Sequence, residues 1–310
     1  MKIYKYGDYV KESTVVTIGM FDGVHRGHKL LIEETIKAAK MKNAIPLVYT
    51  FYSHPIKEMK RKFLTLLEEK LFLLEKNGIQ CAYVVEMCNK FMKLSPEEFF
   101  KKEIIQQVNA KGIVVGEDFR FGYRRIGDVM YLKKLTKPFD IDVYSIPLLD
   151  INGKTVSSSF VHQLIMNGKI ETANALLGYR FFISGGVVKG RGVGRLLGFP
   201  TANIAYKNGS KLLPPGGVYV TLAETGGKFF QSVTNVGFNP TFEKNDKLKV
   251  EIYFIDVKKN LYGANVRLHF LKKIRDEKKF DKPQGLIEQI QQDVGEAKIY
   301  FRLHNFNKCV

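Results

Sequence analysis

The hydrophobic pattern changes period once along the chain, near Gly178, and that change limits the possible folds more than any other feature. Before it, short β-branched or aromatic runs alternate with amphipathic stretches, as parallel strands joined by helical crossovers require. Residues 14–19, 45–51, 81–86, 112–116 and 141–147 predict strands. Residues 28–42, 65–77 and 96–109 predict helices, the last opened by Ser95-Pro96-Glu97-Glu98, a cap with a favourable first turn. A doubly wound α/β domain follows. Two short helical patterns, 159–166 and 171–177, flank the turn Asn167-Gly168 and read as a connector, which sets the first domain at 1–178. Beyond it, 181–189, 217–223, 231–236, 248–257 and 265–270 alternate or run apolar between Gly, Pro and Asn. They predict an antiparallel β-barrel over 179–310, closed by a helix over 285–298 whose apolar positions are Leu286, Ile287, Ile290 and Val294.

A chain of 310 residues exceeds one typical core, and 45% hydrophobic with 26% charged residues suits two packed soluble domains rather than disorder. The net charge of +18 is spread evenly: 28 basic against 20 acidic residues over 1–180, and 21 against 11 over 181–310. No basic arm of the nucleic-acid-binding kind is present, and each half is suited to a polyanion such as ATP. Cys81, Cys88 and Cys309 have no C-x-x-C spacing, which speaks against a disulfide framework or a zinc site and for a reducing cytoplasm. The opening MKIYKYGDYVKEST lacks the apolar core of a signal peptide, and no run approaches the length of a membrane span.

The segment Gly19-Met20-Phe21-Asp22-Gly23-Val24-His25-Arg26-Gly27-His28 falls where the first predicted strand ends and the first helix opens. Ligands of open α/β sheets sit beyond the carboxyl ends of strands, and a helix N-terminus offers free N–H groups and partial positive charge to phosphate. Gly19, Gly23 and Gly27 let the backbone approach such a ligand. His25 and His28 can then donate hydrogen bonds to an α-phosphate as charge builds on it, with no covalent intermediate. Residues 50–55 and 116–125 lie at later strand ends and line the same crevice. Their aromatics suit stacking on a flavin or adenine ring, and Arg124 or Arg125 suits phosphate.

In the second half, glycines and basic residues crowd 186–195, but GxxxxGK[ST] is absent and no helix pattern follows, which excludes a P-loop and a dinucleotide fingerprint. A phosphate-covering loop supplied by a barrel remains, with Gly190, Gly194 and Arg195 as its candidates. Transfer of a γ-phosphoryl group needs a metal, positive charge on the phosphates and a residue that takes the acceptor's proton. Thr201 and Asn203 offer the hard oxygen donors that Mg²⁺ prefers, and Glu251, an acid inside an apolar strand, suits a general base.

With both halves read, the chain resembles the bacterial bifunctional riboflavin kinase/FMN adenylyltransferases, also called FAD synthetases, over nearly its full length. The resemblance rests on GMFDGVHRGH at 19–28, TFYSHP at 50–55, GEDFRFG at 116–122, GRLLGFPTAN at 194–203, TNVGFNPTF at 234–242, VEIYFID at 250–256, LYG at 261–263 and IRDEKKF at 274–280. The first motif is also similar to that of nucleotidyltransferases and class I aminoacyl-tRNA synthetases. The resemblance implies a Rossmann-like nucleotidyltransferase domain followed by a riboflavin kinase barrel, using Mg²⁺ and ATP, with riboflavin, FMN and FAD as substrates or products. It implies ATP binding by Gly19, Phe21, Asp22, Gly23, His25 and His28 in the first domain, and by Gly190, Gly194, Arg195, Thr201 and Asn203 in the second. Phe51, His54, Asp118, Phe121, Arg125 and Arg275 become flavin-binding candidates, and Glu251 activates the riboflavin 5′-hydroxyl. The implied partners are these small molecules alone, with neither nucleic acid nor membrane.

One position departs from the family pattern. Where a serine/threonine pair is followed by arginine, in a form like SSTxIR, this chain has Ser157-Ser158-Ser159-Phe160-Val161-His162. An arginine grips phosphate with a charged fork, whereas an ordinary histidine is mostly neutral at pH 7. Loss of such a charge-assisted bond amounts to about 1.5–3 kcal/mol, or roughly one to two powers of ten in affinity or rate. His162 therefore predicts weakened phosphate binding in the first domain unless Arg124 supplies the charge. Two alternatives stay open: a kinase that makes little FAD, and a flavin- or RNA-binding regulator, against which retention of His25, His28 and Glu251 weighs.

Overall fold

The β-branched run Thr-Val-Val-Thr-Ile forms β2 (Thr14–Ile18), buried at every residue, as a strand covered on both faces must be. Around it, β1 (Lys2–Lys5), β3 (Ile45–Phe51), β4 (Cys81–Val85), β5 (Ala110–Gly116) and β6 (Asp142–Ile146) complete a sheet in the order β1-β4-β3-β2-β5-β6. Every neighbouring pair is parallel. The computed structural model describes residues 1–52, 62–189, 194, 198–206, 209–237, 249–257, 261–280 and 282–306. By internal packing the chain forms two units, Met1–Ser158 and Ser159–Val310.

In the first unit, α1 (Arg26–Met41) covers one face of the sheet, where Ala38 and Ala39 pack on Val15 and Val114. Helix α2 (Leu67–Lys76) precedes β4, and α3 (Asn89–Met92) follows it. The predicted helix 96–109 is α-helical only over Pro96–Phe99 (α4) and continues as a π-helix over Phe100–Gln107. The wider turn buries Phe100, Glu103 and Ile104 together, and Glu103 accepts a hydrogen bond from the Tyr49 hydroxyl at 2.8 Å. Helix α5 (Val129–Thr136), which the sequence reading did not foresee, supplies the crossover to β6. Since β3 and β5 flank β2 on opposite sides, the sheet reverses its winding there, and the crevice beyond the carboxyl ends of β2 and β5 is where such sheets bind ligands. A hairpin, β7 (Asp150–Ile151) and β8 (Lys154–Thr155), ends the unit.

The second unit opens with α6 (Ser158–Met166) and α7 (Ile170–Leu177), which ends on Gly178 at φ 71°. Asn174 of α7 donates to the Phe270 carbonyl at 2.9 Å and accepts from the Phe181 N–H at 2.7 Å. The strands β9 (Phe182–Lys189), β10 (Thr201–Tyr206), β11 (Gly217–Thr225), β12 (Lys228–Gly237), β13 (Lys249–Phe254) and β14 (Asn265–Arg275) close an antiparallel barrel in the order β10-β13-β12-β11-β14-β9. Val218, Val220, Leu222, Val233 and Leu271 pack against Ala297 and Phe301 of α8 (Pro283–Leu303), a helix longer than its sequence pattern predicted. On the opposite strand faces, the buried Thr221 hydroxyl bonds those of Ser232 and Thr234 at 2.8 and 2.7 Å.

Candidate active sites

The turn between β2 and α1 is built from unusual backbone. Phe21, Gly23 and Val24 all have positive φ (49°, 80° and 35°), and a side chain at Gly19 would meet the Phe21 ring at 3.2 Å. Left-handed conformations of phenylalanine and valine are strained, so the surroundings must enforce them. Asp22 provides the tether: its carboxylate accepts from the N–H groups of Leu64 and Thr65 at 3.2 and 3.0 Å and from the Thr65 hydroxyl at 3.3 Å. That hydroxyl in turn accepts from Gly23 N–H at 3.0 Å, and the Ser158 hydroxyl donates to the Asp22 carbonyl at 2.9 Å.

The tethered turn delivers His25 to the N-cap of α1, where its Nδ1 accepts from the His28 N–H at 3.4 Å. Because Nδ1 is the acceptor, the neutral ring carries its proton on Nε2, leaving that N–H to donate elsewhere. The two imidazoles stack with centroids 3.7 Å apart. A Cβ at Gly27 would lie 3.3 Å from the His25 ring, so glycine makes room for it. Burial pushes His25 down to about pKa 4. His28 is held well below the usual imidazole range by burial first, then by the charges of His25 and Lys70. Its buried Nδ1 has no hydrogen-bond partner among the described residues. The first turn of α1 holds Arg26 and Lys29 and no acid, the reverse of what a helix dipole favours and the arrangement an anion would complement.

Phe51, the last residue of β3, is buried with its ring 5.6 Å from Phe91. Phe121 is also buried, stacked on Phe119 at 5.5 Å and 5.9 Å from Phe99. Asp118 is exposed just past β5, its carboxylate folded so close to Gly116 that a Cβ there would lie 2.9 Å away. Arg124 and Arg125 are exposed on a turn of positive φ, 54° and 58°. These residues stand at or beyond the carboxyl ends of β3 and β5, as the sequence predicts. His162 is half-buried on α6, in the second unit. His54, Gly190 and Arg195 lie outside the described residues.

In the barrel, strand register assembles the second constellation. Asn203 of β10 stands directly opposite Glu251 of β13, which stands opposite Asn235 of β12. Cross-strand partners share a face, and Thr201, two residues from Asn203, joins it. Glu251, Asn203 and Thr201 are all half-buried. The Asn203 Oδ1 is buried without a hydrogen-bond partner among the described residues, a costly state for an amide oxygen unless something else fills it. Gly194 sits against this group: a Cβ there would be 3.1 Å from the Thr201 hydroxyl and would collide with the Phe199 carbonyl. The Thr201 hydroxyl and the orphaned Asn203 amide oxygen are hard donors of the kind that fits Mg²⁺, which keeps several waters and is completed by phosphate, with the Glu251 carboxylate beside them. Arg275 is otherwise engaged, its fork paired with both oxygens of buried Asp293 at 2.9 and 2.8 Å. Lys70, Thr65 and Asn235 were not singled out from sequence; Asn235 lies within TNVGFNPTF, and Lys70 falls in helical register with Leu66, Leu73 and Leu74.

Two family models match the chain, FAD synthetase over residues 8–160 and riboflavin kinase over 177–301. A bifunctional riboflavin kinase/FMN adenylyltransferase of Bacillus subtilis is 36% identical over 299 residues, 93% of this chain and 92% of the relative. One of Escherichia coli K12 is 33% identical over 306 residues, 97% of each. A crystal structure described as a macrolide-efflux protein from Streptococcus pneumoniae is 28% identical with a TM-score of 0.88, covering 96% of this chain and 99% of that one. Among the described residues no helix is long and apolar enough to cross a membrane.

Proposed function

The chain belongs to the bifunctional riboflavin kinase/FMN adenylyltransferase family, and on that premise we propose which residues carry each of its two steps. It is a transferase that phosphorylates riboflavin to FMN with ATP and adenylylates FMN to FAD. Adenylyl transfer is assigned to residues 1–178 and phosphorylation to 179–310. Small-molecule substrates and three scattered cysteines fit a cytoplasmic enzyme.

In the adenylyl step, a phosphate oxygen of FMN attacks the α-phosphorus of ATP and the bond to pyrophosphate breaks. The His25 Nε2–H and the His28 ring donate to the oxygens that gain charge, while the N-terminus of α1 adds backbone N–H groups. Phe51, Phe121, Asp118 and Arg125 are assigned to the flavin side of the crevice, with His54 as a further candidate; Arg275 stands on β14 of the barrel, where its fork is paired with Asp293. In the kinase step, Glu251 takes the proton of the riboflavin 5′-hydroxyl as that oxygen attacks the γ-phosphorus and ADP leaves. Thr201 and Asn203 would hold Mg²⁺, which when bound offsets the negative charge of the phosphates. Gly194, where a Cβ would lie 3.1 Å from the Thr201 hydroxyl, leaves room beside that hydroxyl.

The observation that carries this reading is the direct opposition of Asn203 and Glu251 across β10 and β13, with Asn203 Oδ1 left open. Incubating the chain with riboflavin, ATP and Mg²⁺ and separating the flavins tests it. FMN and FAD should both form; absence of FMN refutes the kinase assignment. A second reading, a kinase with a feeble adenylyl step, is favoured by His162 in place of arginine, and under it FMN accumulates.

A further inference from the structure

The last hydrogen bond of the β2–β3 region runs from Gly19 N–H to the Tyr49 carbonyl at 3.1 Å, and past it the chains diverge, one into the histidine turn. Lys70 of α2 fills the point of divergence. It is 2% exposed, and its ammonium donates to the Met20 carbonyl at 2.7 Å, the Phe51 carbonyl at 2.5 Å and the Thr50 hydroxyl at 3.2 Å. The Thr50 hydroxyl itself donates to the Met20 carbonyl at 3.2 Å. Three donors meet three acceptors, so the group is satisfied, yet among the described residues no carboxylate touches it. The acid that acts on it, Asp22, is bonded to Leu64 and Thr65. Withdrawing an ammonium from water without a contact counterion is a heavy penalty, and an apolar side chain would fill the same space without it. The geometry uses a long cationic side chain here: one charge gripping both strand ends at once.

Met20 opens the turn that carries His25 and His28, and Phe51 ends the strand beside the flavin candidates. Resting on the adenylyl assignment above, we propose that Lys70 is a positioning residue for FAD formation, clasping the ends of β2 and β3 so that the histidine turn keeps a fixed register with the Phe51 wall. Its charge also stands behind the histidines, where it helps hold His28 neutral.

The test uses the full chain and follows both steps, FMN adenylylation and riboflavin phosphorylation; the second measures the amount of intact chain, and unchanged KM for ATP and FMN shows that the first unit is folded. A misplacement of about 1 Å can cost on the order of 10²-fold in rate. Lys70→Met should therefore lower kcat for FAD formation by about 10- to 100-fold while KM for ATP and FMN stays within roughly threefold and the kinase rate is unchanged. Lys70→Arg, which keeps the charge, should recover most of the loss. Thr50→Val, a milder change, should lower the same kcat and add nothing in the Lys70→Met background, as members of one clasp do. Burial brings Lys70 down to about pKa 8, so wild-type FAD formation should fall as pH rises past 8, and Lys70→Arg should lack that limb. Among the described residues the other titratable or charged groups that act on it are Asp22 from the turn and His28 from α1; the Glu69 carboxylate on its own helix is turned to the Leu66 N–H, and β3 presents the neutral Thr50 hydroxyl. Wild-type kcat in both Lys70→Met and Thr50→Val overturns the proposal alone, and so does equal loss of both activities. A wild-type chain that makes FMN but no FAD overturns the adenylyl assignment and this proposal with it.

Discussion

His25 should titrate near pH 4 in the free protein, and ATP should move it upward. In the fold its Nδ1 caps α1 and its ring is buried against His28, so protonation would break the cap bond and place a cation in a water-poor site. An unfolded chain binds that proton near pH 6.5, whereas the folded one waits until about 4. Between these values the unfolded state holds more protons, so folding stability rises with pH and is lost on acidification from 6.5 toward 4. At pH 5 this one residue accounts for about 2 kcal/mol, approaching roughly 3 kcal/mol below pH 4. Histidine Cε1–H resonances followed by NMR, with His25 assigned by its absence in His25→Asn, give the titration directly. Urea unfolding at pH 7 and 5 gives the energy, and His25→Asn should shrink the difference by about 2 kcal/mol. An anionic phosphate set beside Nε2 stabilises the imidazolium, so saturating ATP should raise the apparent pKa and couple binding to proton uptake near pH 5. A free-protein titration near 6.5, or one indifferent to ATP, would refute the placement of phosphate against this ring.

Glu251→Gln should reduce riboflavin phosphorylation by about 10²- to 10⁴-fold while FAD formation from supplied FMN continues at the wild-type rate; undiminished phosphorylation removes Glu251 from the role of base. His162→Arg should raise the FAD-forming rate by about tenfold or more, measured from FMN and ATP, and no change counts against a weakened adenylyl step. Arg275→Met leaves Asp293, 3% exposed, without its bidentate partner, and should destabilise the second unit by about 3–5 kcal/mol. Calorimetry reads that loss, and the double change with Asp293→Leu should restore much of it; an unaltered transition in Arg275→Met would show that the pair does not anchor α8.

The elements that sequence made legible are those whose signal is local and strong. Thr14–Ile18 is apolar or β-branched throughout and becomes a strand buried on both faces, and the glycine-punctuated run after it could hardly continue a strand or begin a helix earlier. Strand β10 was missed because Thr-Ala-Asn-Ile-Ala-Tyr interrupts its strand-favouring residues with Ala and Asn and takes its conformation from pairing with β9 and β13. That miss matters, since the strand carries Thr201 and Asn203. Glu251 stood out as an acid among apolar neighbours, but its opposition to Asn203 and Asn235 depends on register between segments far apart in sequence. Lys70 was hidden by its chemistry: a lysine in a helix normally faces water, and only its alignment with Leu66, Leu73 and Leu74 marks it as inward.

The two units differ in how they meet the same nucleotide, and the bonds they break account for it. Attack at the α-phosphorus expels pyrophosphate, so charge grows on oxygens that a helix start and two neutral imidazoles can reach without being neutralised beforehand. Neutral donors suit this because they add attraction as charge develops, whereas a pair of stacked imidazolium ions 3.7 Å apart would repel each other before ATP arrived. Attack at the γ-phosphorus by a hydroxyl needs a base instead, the role proposed for the half-buried Glu251 beside an open amide oxygen. The burial that holds His25 and His28 uncharged and the register that sets Glu251 opposite Asn203 are, on the proposed roles, separate solutions, and loss of one should leave the other's chemistry in place.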